Sequence, residues 1–599
     1  MSTTQTLWLV RGSVFLAAAI LGGILVHRER DDPETRRMQW LLFVMPFATG
    51  GFFSASSVVL GGGAIWSFGK KYQESRRLNL QLSVSSVALG LVVLGYWATL
   101  FWAKNKGAAW IGAAKFSALG LYGLVLMQQA PEKREKALAV LPLAGAIMIV
   151  TSFPLQYISV LSDTIAPKGR LAGFFEYPNT FALFLLIGLI LQYTKTQRKK
   201  ADYIIDFLLI LGVFLSGSRT NFAFMALVIV VGFLCRKDWK FRLVTAGGFV
   251  LCIAASLLGA KLLSGFSAAR YLTTSASDTS FLSRVLYDVD ALPVILRHPF
   301  GLGYMGYKAV QGSIQTGVYT VAYVHNELLQ LLLDIGWIPT LALCAAIILA
   351  FFKRGAGAQR RLILLVIAGH CMLDFDLQFL SIWMVLLACL NLESGKTATL
   401  QRGVPAMLGG LVTLLVVCLW LVAGDTLYYL GATQQCLELT PFHGAALERQ
   451  LSELDDAEVL DETAQKVLKL NRYSTIAWSA RTNAAYATGN ITAMMQYKEW
   501  AISTAPYSLD EYLDYFDKLY GAMERYIAIG DQDSAAVCAQ KLLTIPDQLN
   551  AVMEGSSVLA WHVQHIPQLT LPAEYQEKLE QIPGNLKGGA ANNETKIER

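Results

Sequence analysis

Long apolar runs, separated by short polar segments, occupy the first two thirds of the chain. The first run, from about residue 7 to residue 26, is long enough to cross a bilayer, which takes about 20 residues. It lacks a clear small-residue cleavage site, so the pattern predicts a retained helix and not a signal peptide. In all, the pattern predicts about 12–13 transmembrane helices. Their approximate positions are 7–26, 39–66, 79–102, 108–128, 137–158, 178–194, 203–216, 220–235, 243–263, 336–352, 362–376, 378–392 and 404–425.

Two parts of this pattern depart from simple crossings. The span 39–66 is long and rich in glycine, so we expect it to be bent or broken. The spans 362–376 and 378–392 are short and are separated by Asp374-Phe375-Asp376. We therefore expect these two spans to form a hairpin that does not fully cross the membrane.

The pattern changes after about residue 425. Residues 426–582 interleave polar positions with Leu, Ala, Tyr and Trp, as the amphipathic helices of soluble domains do. One stretch resembles a tetratricopeptide repeat (TPR), and the alternative is a generic helical bundle. The matching positions are Trp478, Tyr486, Gly489, Asn490, Tyr497, Ala501 and Pro506. Residues 583–599 are rich in Gly, Asn and charge, which predicts a disordered tail.

Composition agrees with a membrane protein. The 599 residues are 54% hydrophobic and only 16% charged, whereas a soluble domain has roughly 25% charged residues. The mean hydropathy is +0.43. The sequence thus predicts an all-α, polytopic membrane protein, with a transmembrane domain at residues 1–425 and a TPR-like helical domain at residues 426–582.

The positions of lysine and arginine predict the orientation. With thirteen spans, the basic clusters at residues 70–77, 195–200, 236–242 and 353–361 fall on one side. We expect that side, and the N-terminus, to face the cytoplasm. Short clusters between apolar runs are typical of such loops and not of a nucleic-acid-binding surface. The other side then receives residues 27–37, 163–177 and 216–219, the large loop 264–335, the 370–378 turn and the C-terminal domain.

The cysteines predict no metal centre. Six of the eight lie in or beside apolar segments, and no spacing typical of zinc ligands occurs. Cys436 and Cys538 lie in the polar C-terminal part. Either a disulfide or two buried thiols fits their positions.

The first two polar features of the predicted outer side each contain an arginine. Arg170 precedes Pro178-Asn179 at the start of a predicted span, where Asn179 suits a helix cap. Arg170 fits an interfacial anchor or a partner for an anionic group. Arg219 follows the tight Ser216-Gly217-Ser218 turn. It fits an interfacial residue or a bidentate ligand of phosphate oxygens.

A third feature extends from Ser283-Arg284 to Arg297-His298-Pro299. The apolar spacing from Phe281 to Leu296 predicts an amphipathic helix along the outer membrane surface. Pro299 and the following glycines end it. No strand precedes the Gly-x-Gly of residues 301–303, so it is not a nucleotide-binding loop.

The fourth feature is His325-Asn326-Glu327, directly before a predicted span. Asn326 suits a helix cap, which would make His325 only a neighbouring polar residue. Alternatively, His325 accepts a proton near neutral pH at the level of a lipid headgroup. His370, Asp374 and Asp376 form a further polar group, which suits either a functional site or the hydrogen bonds of a re-entrant turn.

In this order, the four blocks resemble the O-antigen ligase/polymerase superfamily of bacterial envelope glycosyltransferases. The resemblance covers about residues 150–390. Its blocks are Arg170…Gly173-Phe174-Phe175…Pro178-Asn179, Ser216-Gly217-Ser218-Arg219, Ser283-Arg284…His298-Pro299-Phe300-Gly301-Leu302-Gly303, and His325-Asn326…Gly336.

The resemblance implies a glycan donor carried on undecaprenyl diphosphate. It implies transfer to a glycan, lipid or protein acceptor at the outer face of the bacterial cytoplasmic membrane, with no cofactor, metal or nucleotide sugar. Carried over by motif, His325 would be the catalytic base, and Arg219 and Arg284 would hold the diphosphate. Further candidates for substrate binding are Arg170, Asn179, Asn326 and Arg297. Attack opposite the departing diphosphate predicts inversion at the sugar.

Several functions share this donor chemistry. A glycan ligase is the favoured hypothesis, and a repeat-unit polymerase or a protein O-oligosaccharyltransferase is the alternative. A polysaccharide transporter would be expected to show repeated halves, which the sequence lacks. The TPR-like domain could recruit an acceptor or a protein partner, or could act as a passive lid.

Overall fold

The fold is that of a computed structural model of the chain. The structure describes residues 3–28, 31–195, 197–235, 239–259, 279–393, 395–563, 569–582 and 584–587. Residues 264–278 of the predicted large loop lie outside the described residues. So do residues 583 and 588–599 of the predicted tail.

Helices form almost all of the regular structure of the described residues, as the apolar patterns predict. Up to residue 429 the α-helices are α1 Thr3–Arg28, α2 Pro33–Val44, α3 Ala55–Ser75, α4 Val84–Ala98, α5 Lys106–Met127, α6 Pro131–Leu138, α7 Leu141–Leu155, α8 Ser159–Ile165, α9 Pro178–Thr194, α10 Lys200–Leu215, α11 Arg219–Cys235, α12 Trp239–Gly259, α13 Thr279–Arg297, α14 Gly306–Ile314, α15 Glu327–Ile335, α16 Trp337–Phe352, α17 Ala358–Cys371, α18 Leu380–Cys389 and α19 Val404–Tyr429. Short 3-10 turns lie at Met45–Phe47, Thr49–Gly51, Thr99–Phe101, Pro167–Gly169, Gly173–Phe175 and Asp376–Gln378. The strands β1 (Leu78–Leu82) and β2 (Lys396–Leu400) pair antiparallel.

The predicted all-α membrane protein is confirmed. Five helices of the described residues are long and apolar enough to cross a membrane. They are Thr3–Arg28, Val84–Phe101, Lys106–Met127, Pro131–Leu155 and Val404–Tyr429. Shorter apolar helices lie at Pro178–Thr194, Arg219–Leu234, Trp337–Phe352 and Leu380–Cys389. The total number of spans stays a prediction, and α19 continues past the predicted domain boundary at residue 425.

The predicted span 39–66 is broken, as expected, but it is not one crossing. Lys71 Nζ lies 3.2 Å from Glu34 Oε2, so α2 and α3 run antiparallel. The reversal lies at Gly50 and Gly51, whose φ angles are 63° and 84°. A Cβ on Gly51 would lie 2.9 Å from the Leu380 backbone nitrogen, so glycine is required there.

This reversal corrects the predicted position of the N-terminus. Arg11 donates to both carboxylate oxygens of Glu176, at 2.7 and 2.5 Å. The start of α1 therefore lies at the end of the bundle where α9 begins. The end of α1 lies near Glu34 and Lys71, beside the basic cluster 70–77. The prediction that residues 27–37 lie opposite that cluster is wrong. The apolar run 39–66 contains parts of two antiparallel helices, α2 and α3, so the chain returns to the same end of the bundle.

The C-terminal part folds into helices that lie against the segment before α15. These are α20 Thr433–Leu439, α21 Gly444–Leu451, α22 Ala457–Leu470, α23 Thr475–Ala487, α24 Ile491–Thr504, α25 Leu509–Ala528, α26 Gln532–Glu554, α27 Val558–Val563, α28 Ala573–Glu580 and α29 Gly584–Lys587. The Ser557 amide donates to the Thr316 carbonyl at 3.0 Å. Cys436 and Cys538 are buried free thiols, so the disulfide alternative does not hold. The TPR-like character stays a prediction.

The position of the N-terminus can be tested by cysteine labelling. Thr4, Gln73 and Gln496 are exposed. In sealed vesicles of one orientation, we expect an impermeant maleimide either to label both Thr4→Cys and Gln496→Cys or to label neither. Gln73→Cys should give the opposite result, because it lies at the other end of the bundle. The unsubstituted protein gives the background from native cysteines. Equal labelling of Thr4→Cys and Gln73→Cys would contradict the antiparallel α2–α3 arrangement.

Candidate functional site

The carboxylate of Asp374 joins side chains from three distant segments. Asp374 is fully buried in the turn between α17 and α18. Its Oδ1 accepts from the Tyr177 hydroxyl at 2.7 Å and lies 3.1 Å from His325 Nδ1. Its Oδ2 accepts from Asn179 Nδ2 at 2.6 Å and lies 3.4 Å from an Arg284 nitrogen. Three of the predicted site residues therefore meet at one carboxylate.

Local helix starts position two of these side chains. Pro178 opens α9, and the side chain of Asn179 turns to Asp374 and does not cap the helix. Asn326 is the cap of α15, because its Oδ1 accepts from the Leu329 amide at 3.3 Å. This cap holds His325 just outside the helix. The substrate-binding role of Asn326 stays a prediction.

Arg170 ties the first block to the second. It donates to Asn179 Oδ1 and, through Nε, to the Ser216 carbonyl at 2.9 Å. Gly217 has a φ of 63°, and a Cβ there would lie 3.2 Å from Arg170 Nε. The tight turn is thus held against Arg170, and Arg219 is the first residue of α11 directly after it.

A second buried network supports this arrangement. His370 Nδ1 lies 2.5 Å from Asp376 Oδ2, and the Thr180 hydroxyl donates to Asp376 Oδ1 at 2.7 Å. Asn221 Nδ2 lies 2.8 Å from His370 Nε2 and donates to the Asn179 carbonyl at 2.9 Å. These bonds join α9, α11 and the α17–α18 turn. The turn between α17 and α18 therefore carries a buried hydrogen-bond network next to the Asp374 cluster, and whether the turn is re-entrant stays a prediction.

The charges around Asp374 determine its protonation. Burial would raise the pKa of its carboxyl, but the Arg284 guanidinium, His325 and His370 hold that pKa well below its usual range. Asp374 is therefore ionised at neutral pH. An ionised carboxylate selects the His325 tautomer that carries its proton on Nδ1.

The other ring nitrogen of His325 is available for chemistry. Within the described residues Nε2 has no hydrogen bond, and the side chain is 20% exposed. In the tautomer selected by Asp374, Nε2 carries a lone pair. The ring can therefore take a proton from a group that reaches its open side.

Asp288 is a residue of this site that the sequence did not single out. It lies one turn after Arg284 on α13, and its Oδ1 is buried with no hydrogen-bond partner among the described residues. Burial raises the pKa of Asp288 to about 6, although Asn326, His325 and Arg284 act in the opposite direction. Its spacing of four residues from Arg284 on a predicted helix was the available signal.

The structure does not bring Arg297 to this cluster. Arg284 and Arg297 lie at opposite ends of α13, which separates their backbones by about 20 Å at the usual helical rise. Arg297 is exposed. The sequence could not separate the two arginines by motif alone, whereas the helix geometry does.

Comparison with known families gives a match over part of the chain. Residues 204–344 match the model of a family described as O-Antigen ligase. The matched range contains Arg219, Arg284 and His325, but not Asp374, Asn179 or Arg170. It supports a ligase-like glycosyltransferase at the level of the family. A comparison with curated proteins finds no match.

The role of Asp374 in stability can be measured. Asp374→Asn keeps the volume of the side chain but leaves Arg284 without its carboxylate partner. Breaking a buried charge pair costs about 3–5 kcal/mol, so we expect a lower melting temperature in detergent. Asp163→Asn, an exposed position of α8, is the matched control and should melt like the wild type. Equal melting of Asp374→Asn and wild type would show that the carboxylate does not hold these segments together.

Proposed function

We propose that the protein is an O-antigen ligase-like glycosyltransferase. It moves a glycan from an undecaprenyl-diphosphate carrier to an acceptor at the outer face of the bacterial cytoplasmic membrane. The observation that carries the proposal is the contact of His325 Nδ1 with the ionised Asp374, beside Arg284. The match of residues 204–344 to the O-antigen ligase family supports the same reaction class.

His325 acts as the general base. Its Nε2 takes the proton of the acceptor hydroxyl while the hydroxyl oxygen forms a bond to the anomeric carbon of the donor. The bond from that carbon to the diphosphate breaks, and its electron pair leaves with the diphosphate. Asp374 stabilises the imidazolium that forms. Base catalysis of this kind contributes about 10²–10⁴-fold to a rate.

The arginines neutralise the leaving group. Arg284 donates from one nitrogen to the Leu373 carbonyl at 2.6 Å and from another to the Asp374 carboxylate. A guanidinium has five N–H donors, so donors remain for diphosphate oxygens. Arg219 stands at the head of α11, where the first backbone amides also favour an anion. Arg170 and Asn179 hold this turn in position. Charge stabilisation of this type is commonly the largest single catalytic contribution.

The C-terminal domain acts on the acceptor side. It lies against the segment that leads to His325, through the Ser557–Thr316 hydrogen bond and a cluster of Leu286, Tyr319 and Ala560. An acceptor bound by this domain would enter next to α13 and the base. A glycan, lipid or protein acceptor fits this placement. The repeat-unit polymerase and the protein O-oligosaccharyltransferase therefore remain alternatives to the ligase.

The reaction can be tested in proteoliposomes that contain a labelled polyprenyl-diphosphate glycan. We expect wild type to release polyprenyl diphosphate, and His325→Ala and Arg284→Ala to lose about 10²-fold or more of that release. Arg354→Ala removes an exposed arginine of the 353–361 cluster and should retain full activity. Melting temperatures of all variants control for folding.

The outcomes separate the hypotheses. The identity of the glycosylated product distinguishes a ligase from a polymerase or a protein glycosyltransferase. A wild-type protein that transfers nothing to any acceptor, but moves the labelled lipid across the bilayer, would replace the proposal with a transporter.

The pH dependence gives a separate test through Asp288. Its carboxylate ionises above a pKa of about 6 and then adds negative charge beside His325, which stabilises the imidazolium. Activity should therefore fall as the pH drops through 6. Asp288→Asn should abolish this acidic limb and hold the rate near the low-pH value of wild type, because its side chain stays neutral at every pH. The measurement is the rate against pH for wild type, Asp288→Asn and the control Asp163→Asn. An unmoved limb in Asp288→Asn would exclude this role.

A further inference from the structure

A cleft of about 650 Å³ lies between α1, α2 and α3. It is near the Glu34–Lys71 ion pair, at the opposite end of the bundle from Asp374. Its wall is mostly apolar and includes Trp40 and Trp66. Its size falls in the range of about 300–1,000 Å³ that is typical of small-molecule sites.

Two arginines line this cleft with donors that no described residue accepts from. Arg36 Nε and Arg37 Nε and Nη2 are buried and have no hydrogen-bond partner among the described residues. The Arg37 side chain is 10% exposed, and its Nη1 lies 3.8 Å from Glu74 Oε1. Buried charged donors without partners are costly. These atoms therefore indicate a ligand with anionic oxygens.

The surrounding charges favour an anion. The nearest acidic group of α2, Glu34, is already paired with Lys71 at 3.2 Å and Lys133 at 3.1 Å. The cleft lies at the end of the bundle that carries the basic cluster 70–77. The sequence predicts that this end faces the cytoplasm, and basic pockets between membrane helices on the cytoplasmic side are suited to lipid headgroups.

The apolar wall excludes a purely polar anion as the best occupant. Trp66 lies under the Arg37 guanidinium, at 5.7 Å from the ring centroid. A Cβ added to Gly23 or Gly62 would meet nothing within 4 Å, so the space beside both helices is open for a hydrocarbon chain. A headgroup with its own cation would be repelled by the arginines.

We propose that this cleft binds an anionic phospholipid. The phosphate accepts hydrogen bonds from Arg36 and Arg37, and an acyl chain lies along Gly23, Gly62 and the tryptophans. Arginine suits phosphate because its planar guanidinium can donate two parallel hydrogen bonds. The site is separate from the Asp374 cluster and does not depend on the proposed glycosyl transfer.

The test is lipid binding by the full chain in a neutral detergent. Phosphatidylglycerol, phosphatidylcholine and glycerol 3-phosphate are titrated, with bound lipid counted by native mass spectrometry and the melting temperature recorded. We expect phosphatidylglycerol to bind and to raise the melting temperature more than the other two. In the double variant Arg36→Gln/Arg37→Gln its affinity should fall about tenfold or more.

Two further variants make the result decisive. Arg76→Gln/Arg77→Gln removes the same charge from exposed positions at the same end and should bind like wild type. Gly62→Leu keeps both arginines but fills the cleft, and it should fold well because leucine is the better helix former. Its phosphatidylglycerol binding should also fall, which covers the case of an unfolded arginine variant.

Contrary results would overturn the proposal. Equal effects of phosphatidylglycerol and phosphatidylcholine would exclude an anion-specific site. An equal effect of glycerol 3-phosphate would replace the lipid with a soluble phosphate. Unchanged binding in Gly62→Leu would place the lipid elsewhere on the molecule.

Discussion

The burial of the Asp374 carboxylate is the constraint on which the site depends. A buried charge is tolerated only when it is paired and hydrogen-bonded. Its partners are Tyr177, Asn179, Arg284 and His325. They come from α9 and the residue before it, from α13, and from the segment before α15. Satisfying one carboxylate therefore fixes the relative positions of three otherwise independent segments.

The buried charges at the two ends of the bundle differ in whether the described residues supply their partners. Around Asp374 the charge of the carboxylate is compensated by the Arg284 guanidinium and by hydrogen-bond donors of the chain itself. Around Arg36 and Arg37 several donors are buried without any partner among the described residues. The first arrangement gives a preorganised site whose geometry exists before substrate binds. The second is completed only by a ligand, so it suits a lipid that stays with the protein.

The sequence predicted the helical membrane fold and the order of the polar blocks, but not two features that depend on distance. Periodicity reports that residues 39–66 are apolar, and it does not distinguish one bent helix from the reversal at Gly51. Likewise, the sequence indicated Asp374 only as one of a polar group with His370 and Asp376. Its contacts with His325 and Tyr177 join residues 49 and 197 positions apart, and no local pattern encodes such pairs. Of the two candidate arginines, Arg284 contacts Asp374, whereas Arg297 lies thirteen residues further along the same helix; the catalytic role of Arg284 stays a prediction.

One carboxylate shared by an arginine and a histidine has a consequence for the proposed reaction. Arg284 and His325 both contact the negatively charged carboxylate of Asp374. When a diphosphate engages Arg284, part of the arginine's charge is directed to the new anion. Less of the Asp374 charge is then neutralised by Arg284, and more of it stabilises an imidazolium at His325. Donor binding would therefore favour proton transfer at the base once the leaving group is in place.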